Sequence, residues 1–185
     1  MKRNVIFIHG TYGSGKENWF PWLKKKLERS GHKVLVPKFP TPKGQTLRNW
    51  LKVFSKFDKF VDNNTIFVCH SIGASFVLRY LETTKKNVKG CFFVAPFVFV
   101  LCSTDLDYLF KSFVGDYDYK KIKKRCNKFF IFGSDNDKYV PLEWDKKLKK
   151  RLNAKLFILK NAGHINEDAG YLKFPLLFDK IKKLK

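Results

Sequence analysis

Three residue types that together can transfer an acyl group, a serine, a carboxylate and a histidine, stand where apolar runs of this chain end. Cys69-His70-Ser71-Ile72-Gly73 follows Thr65-Ile66-Phe67-Val68 and leads into Ala74-Ser75-Phe76-Val77-Leu78-Arg79-Tyr80-Leu81. A serine at a sharp strand-to-helix turn is lifted clear of the sheet; the pattern is usually written G-x-S-x-G, and here Cys69 takes the place of the first glycine. Taken alone, Ser71 could equally cap a helix. A serine hydroxyl is a weak nucleophile until a base removes its proton, and that base needs an acid to fix its tautomer. Both follow in order. Gly133-Ser134-Asp135-Asn136-Asp137 follows the run Lys128–Phe132, and Asn161-Ala162-Gly163-His164 follows Ala154–Leu159.

The chemistry open to these residues is nucleophilic acyl transfer: Ser71 attacks, His164 serves as base and then acid, and an aspartate orients it. Asp135 and Asp137 compete for that last position. Asp137 is favoured, because Asp137-Lys138-Tyr139-Val140-Pro141 leads directly into the next helix, whereas Asp135 suits a turn-stabilising side chain. The helix that starts at the elbow aims the Ile72 N–H at a developing oxyanion. A second donor is expected from the loop His9-Gly10-Thr11-Tyr12-Gly13, at the N–H of Thr11. Among the other histidines, His9 is expected to shape that loop, His70 to be structural, and His32 to lie on the surface. Tyr12, Trp19, Phe97 and Tyr139 are candidates for the wall of an acyl pocket, with plain core packing as the alternative for aromatic residues this common.

The elements that must position these residues are legible as periodicity. Strands are expected at Val5–Ile8, Lys33–Val36, Thr65–Val68, Gly90–Ala95, Lys128–Phe132 and Ala154–Leu159. Helices are expected at Trp19–Ser30, Thr46–Phe60, Ser71–Thr83, Pro141–Leu152 and Leu172–Lys183. Alternation of short apolar runs with longer amphipathic ones predicts an α/β fold: a three-layer sandwich with a mostly parallel sheet of about six strands and helices on both faces. Ligands of such sheets bind outside the carboxyl ends of the strands, which is where the serine, aspartate and histidine fall. Pro37 to Gly44 reads as an extended loop, and Phe97 to Asn127, with Asp105, Asp107, Asp116 and Asp118, as a small excursion over the sheet. With 185 residues and no visible linker, one domain is expected over 1–185.

The net charge of +22 invites a polyanion partner, yet only six of the 38 basic residues are arginine, and the lysines are spread through predicted helices. The expectation is solvated helix faces and no specific nucleic-acid partner. Cys69, Cys91, Cys102 and Cys126 show no C-x-x-C spacing and no metal-site pairing with histidine, so no metal or cofactor is expected, and a reducing, cytoplasmic setting follows. The start lacks a cleavage-site pattern, and the longest apolar run, Cys91 to Cys102, is broken by Pro96 and too short to span a bilayer. Gly10-Thr11-Tyr12-Gly13-Ser14-Gly15-Lys16 satisfies G-x-x-x-x-G-K, the opening of a phosphate-binding loop. Glu17, however, stands where a magnesium-ligating Ser or Thr is needed, and Pro21 interrupts a helix meant to begin there.

The combined pattern resembles the small serine hydrolases of the retinoblastoma-binding-protein-nine and YdeN type, within the α/β-hydrolase superfamily. The resemblance runs over nearly the whole chain: Ile8-His9-Gly10, Asn18-Trp19-Phe20-Pro21-Trp22-Leu23-Lys24-Lys25, His70-Ser71-Ile72-Gly73, Ser134 to Pro141, and Gly163-His164-Ile165-Asn166-Glu167. Carried over by position, it implies a triad of Ser71, Asp137 and His164 in a compact hydrolase without a large lid, acting on a small-molecule acyl substrate. An interaction protein that keeps the fold without brisk catalysis is the alternative.

Overall fold

Val, Ile, Phe and Cys dominate six short runs, and these pair side by side as parallel strands. A computed structural model describes residues 2–99 and 107–184. The strands are β1 (Asn4–Ile8), β2 (Lys33–Leu35), β3 (Ile66–His70), β4 (Gly90–Val94), β5 (Phe129–Ser134) and β6 (Lys155–Leu159). Their order in the sheet is β2-β1-β3-β4-β5-β6, and all five pairings are parallel. The helices are α1 (Phe20–Arg29), α2 (Leu47–Phe54), α3 (Ile72–Thr83), α4 (Asp107–Phe110), α5 (Tyr119–Arg125), α6 (Leu142–Leu152) and α7 (Pro175–Lys182).

Side chains alternate across each strand, so the sheet feeds two cores. Ile6, Ile8, Phe67, Cys69, Cys91, Phe93, Phe129 and Ile131 pack with Trp50, Phe54, Ile122 and Leu148 from α2, α5 and α6 and with the buried face of α3. Val5, Phe7, Ile66, Val68, Phe92, Val94 and Phe132 face the other way, against Phe20, Leu23 and Leu27 of α1 and Leu177 and Ile181 of α7. The result is the three-layer α/β sandwich expected. Cysteine at the first elbow position is accommodated: Cys69 is fully buried in the first of these cores. Cys91 and Cys126 are also buried free thiols, while Cys102 and Asp105 lie outside the described residues. Lys120, Lys121, Lys123, Lys124, Lys146, Lys147, Lys149 and Lys150 are all exposed, as solvated helix faces require. No helix among the described residues is long and apolar enough to cross a membrane.

Several element boundaries differ from expectation, and β3 runs on through Cys69 and His70. The helix expected to reach Phe60 stops at Phe54, and a separate 3-10 turn covers Asp58–Phe60. That turn delivers the Asp58 carboxylate to the Tyr80 hydroxyl and the Lys86 ammonium, each 2.6 Å away. The last helix starts at Pro175 rather than Leu172, because proline disfavours helical geometry in the residue before it, and Phe174 is correspondingly non-helical, with φ −137° and ψ +76°. The segment between β4 and β5 carries α4 and α5, the latter capped by Asp118, whose carboxylate accepts from the Lys121 N–H.

One buried group stands apart from these cores. Asp145 on α6 is buried, and neither carboxyl oxygen has a hydrogen-bond partner among the described residues. It presses against Gly133 of β5, where a Cβ would lie only 1.9 Å from Oδ2. Burial, and then the charge of Asp137, push its carboxyl from the ordinary 3.8 up to about 8. The unfolded chain therefore loses this proton near pH 4, and the folded protein keeps it to about pH 8. Stability falls as pH rises through that window, by about 1.4 kcal/mol for each pH unit, and levels off above it. Asp145→Asn should accordingly raise the melting temperature by several degrees at pH 8 and change it little at pH 4.5. An equal change at both pH values in thermal melts followed by circular dichroism would count against a neutral Asp145.

Candidate active site

The strand order reverses between β1 and β3, so the loops after these two strands meet at the carboxyl edge of the sheet. Ser71 sits between β3 and α3 with φ +52° and ψ −124°, a conformation foreign to side-chain-bearing residues. The turn is possible because Gly73 lets α3 start hard against β1: a Cβ there would stand 2.5 Å from the Ile8 carbonyl oxygen. The Ser71 N–H donates to the Val94 carbonyl at 3.0 Å, and its own carbonyl accepts from the Phe97 N–H at 3.2 Å. The elbow is thus tied to the exit of β4, and Phe97 is hung beside it.

His164 lies in the loop after β6, and its Nδ1 is 2.8 Å from Asp137 Oδ2. The carboxylate makes Nδ1 the protonated nitrogen and leaves Nε2 with the lone pair. Asp137 also accepts at Oδ1 from the N–H groups of Tyr139 (2.8 Å) and Val140 (3.1 Å), so the turn that carries it holds its orientation. Asp135 points elsewhere and accepts from the Asn161 N–H at 2.7 Å. The two aspartates that compete in the sequence therefore bond different partners: one holds the imidazole, the other the loop that carries it.

That loop is held along its length. Beyond the Asp135 bond, Ser134 Oγ accepts from the Ala162 N–H (3.0 Å) and Asn136 Oδ1 from the Gly163 N–H (2.8 Å). From the other side, His70 Nε2 donates to the His164 carbonyl at 3.0 Å, and the indole N–H of Trp19 donates to the Ile165 carbonyl at 3.0 Å. Trp19 is fully buried against Phe7, Phe20 and Phe174. It is therefore no part of the pocket wall, contrary to expectation: its ring fills the core and its N–H secures the histidine loop. Burial, then the neighbouring His164, depresses the His70 imidazole to about 3, so His70 stays neutral.

The first loop is wound as tightly. His9 is buried, its Nε2 accepting from the Phe39 N–H at 3.0 Å, which leaves Nδ1–H to donate to the Gly10 carbonyl at 2.8 Å. Burial lowers its pKa, so it too stays neutral. The Gly13 N–H donates to the same Gly10 carbonyl at 3.2 Å, and the Tyr12 N–H to Thr41 Oγ1 at 2.7 Å. Because the two ends of a trans peptide point in opposite directions, clamping the Gly10 carbonyl turns the Thr11 N–H the other way. Among the described residues no group bonds that N–H, nor the N–H of Ile72 at the start of α3. The resemblance of residues 10–16 to a phosphate-binding loop ends here, since α1 begins only at Phe20 and Glu17 is turned back onto Ser14.

A cavity of about 410 Å³ opens between these loops. Ser71, His164, Thr11, Tyr12, Phe97 and Tyr139 all line it. Phe110, Glu17, Glu167 and Asp168 line it as well, beyond the residues expected, Phe110 because a four-residue helix leaves no periodic trace. Ser134 and Asn136 do not line it, but they hold the histidine loop, and the sequence does not single them out either. Their only sequence signal is a run of small polar residues at a strand exit, which any turn would show.

Comparison with known proteins gives one answer. A profile of the serine hydrolase family matches residues 5–183. The chain is 32% identical over 181 residues to the putative hydrolase YdeN of Bacillus subtilis, covering 97% of this chain and 94% of that one. It is 29% identical over 163 residues to the serine hydrolase RBBP9 of Rattus norvegicus, covering 86% of each. The crystal structure of the B. subtilis ydeN gene product superposes with a TM-score of 0.91 at 29% identity, over 98% of both chains.

The side-chain bonds to the histidine loop make a measurable expectation. Ser134→Ala frees the Ala162 N–H, and the loss of one bond worth about 1 kcal/mol should speed its amide exchange about fivefold. Amides of β1 should be unaffected. Unchanged protection at Ala162 in native-state hydrogen exchange would remove Ser134 from the set of anchors.

Proposed function

The chain belongs to the serine hydrolase family, and we propose that it cleaves small esters, thioesters or amides through an acyl-enzyme on Ser71. The observation that carries this reading is the cavity shared by Ser71, on its strained elbow, and His164, whose Nδ1 is bonded to Asp137. Ser71 Oγ adds to the substrate carbonyl while His164 Nε2 takes its proton. The tetrahedral oxyanion accepts from the N–H groups of Thr11 and Ile72, two donors that no group among the described residues occupies. Collapse expels the leaving group, which receives the proton from His164. Water then repeats the sequence on the acyl-enzyme, and Ser71 is regenerated. Asp137 stabilises the imidazolium formed at each step.

A fluorophosphonate probe should label Ser71 and fail on Ser71→Ala. With p-nitrophenyl butyrate as reporter, Asp137→Asn should lower kcat by up to ~10⁴ and Asp135→Asn far less. Labelling at any residue other than Ser71 would overturn the mechanism, and the reverse order of the two aspartates would overturn the acid assignment.

The cavity also bears on the acyl group. In a chain with 38 basic residues, no lysine or arginine among the described residues lines it, whereas Glu17, Glu167 and Asp168 do. An acyl chain ending in a carboxylate meets uncompensated negative charge, which favours neutral substrates. After correction for spontaneous hydrolysis, kcat/KM for p-nitrophenyl butyrate should exceed that for p-nitrophenyl hemisuccinate by about tenfold or more, some ~1.4 kcal/mol. Equal values would show that the carboxylates play no part in selection.

A further inference from the structure

Gln45 lies just ahead of α2 and is buried, although a buried amide is costly unless its groups are bonded. Every donor it has is used. One Nε2–H donates to Thr11 Oγ1 at 2.9 Å and the other to the Leu109 carbonyl at 3.0 Å. Its Oε1 accepts from the Thr41 hydroxyl at 2.6 Å, and Thr41 Oγ1 in turn accepts from the Tyr12 N–H at 2.7 Å. A single side chain thus grips the Thr11 side chain directly and the next peptide N–H through one intermediary. The third bond reaches α4, whose next residue, Phe110, lines the cavity.

We propose that Gln45 is a positioning residue for the oxyanion donor. It fixes the Thr11 side chain and the peptide that follows Thr11, and so steadies the residue that carries the N–H and registers it against α4. The reason lies in the degrees of freedom left to the loop. His9 and Gly13 hold the Gly10 carbonyl, and so orient one side of Thr11. Those bonds do not restrain the Thr11 side chain or the peptide that follows. Gln45 and Thr41 supply both restraints, and no group among the described residues takes the Thr11 N–H. An oxyanion donor works by being in place before charge develops, so a loop free to rock loses rate more than substrate affinity.

This inference rests on the acyl-enzyme reading, and its test separates the two. Gln45→Met keeps the side-chain volume and removes all three bonds; Thr11→Val removes the gripped oxygen and keeps the N–H. With p-nitrophenyl butyrate, each should lower kcat about 10- to 100-fold with KM within about threefold. Affinity for phenylboronic acid, whose serine adduct places an oxygen at the oxyanion position, should fall in step with kcat/KM. The double variant should lose little more than either single one, because both break the same restraint. Wild-type kcat in folded Gln45→Met, or losses that multiply in the double variant, overturns the proposal. If Gln45→Met does not fold, Thr11→Val decides alone: unchanged kcat and boronate affinity sink the idea. Failure of wild-type Ser71 to react with the fluorophosphonate would sink the acyl-enzyme reading itself; normal labelling with an unaffected Gln45 variant sinks only Gln45.

Discussion

The short loop that carries His164 is held in a shape its own residues disfavour, and the rest of the site depends on that. Asn161, Gly163 and Ile165 have φ of +52°, +52° and +51°. For Ile165, β-branched and fully buried, this conformation is strained, at about 1–3 kcal/mol. The offset comes from outside the loop. Asp135, Ser134 and Asn136 take its successive N–H groups, His70 and Trp19 take the next two carbonyls, and Asn18 accepts from the Glu167 N–H at 2.9 Å. At about 1 kcal/mol each, these six bonds outweigh the strain at Ile165. They also come from different strand exits and from the residues just before α1, so the imidazole is located relative to every other part of the site at once.

The sheet explains why so many partners are within reach. Parallel strands end at one edge, and the reversal of order between β1 and β3 sets the first loop directly beside the elbow. His70 is the last residue of β3 and Ser71 the next, so the bond from His70 to the His164 carbonyl ties the imidazole loop to the backbone of the elbow. The turn after β5 does the same: residues 134 to 137 each bond the histidine loop. Asp137 and His164 are carried less by two loops than by one body with two covalent attachments. Rigidity of this kind suits a reaction in which groups must be placed before charge appears.

Much of this is legible in the sequence, and the division has a physical cause. The four inner strands, largely buried, announce themselves as unbroken apolar runs, and the edge strands β2 and β6, though more exposed, keep short apolar runs of their own, so all six can be placed, and with them the exits on which Ser71, Asp137 and His164 stand. What escapes are bonds between residues far apart in the chain. Trp19 and Ile165 are separated by 146 positions, Gln45 and Leu109 by 64, Ser134 and Ala162 by 28. A side chain that serves a distant backbone group leaves no periodic mark. Trp19 accordingly reads as a pocket aromatic, and Gln45 does not stand out at all. Helix ends set by local competition are lost in the same way, as where the turn after Phe54 serves Asp58.

Two aspartates beside the end of β5 show how the fold sorts identical groups. Asp137 receives three hydrogen bonds, from His164, Tyr139 and Val140, and Asp145, close enough to feel its charge, receives none from the described residues. A carboxyl buried without partners beside a second carboxylate holds its proton more tightly. Gly133 makes the difference possible, since any side chain there would occupy the niche that holds Asp145 away from water. Both side chains are buried, Asp137 as deeply as Asp145, so what separates them is hydrogen bonding and not access to water. Left without a partner, the Asp145 carboxyl is pushed up to about 8, while three donors converge on Asp137.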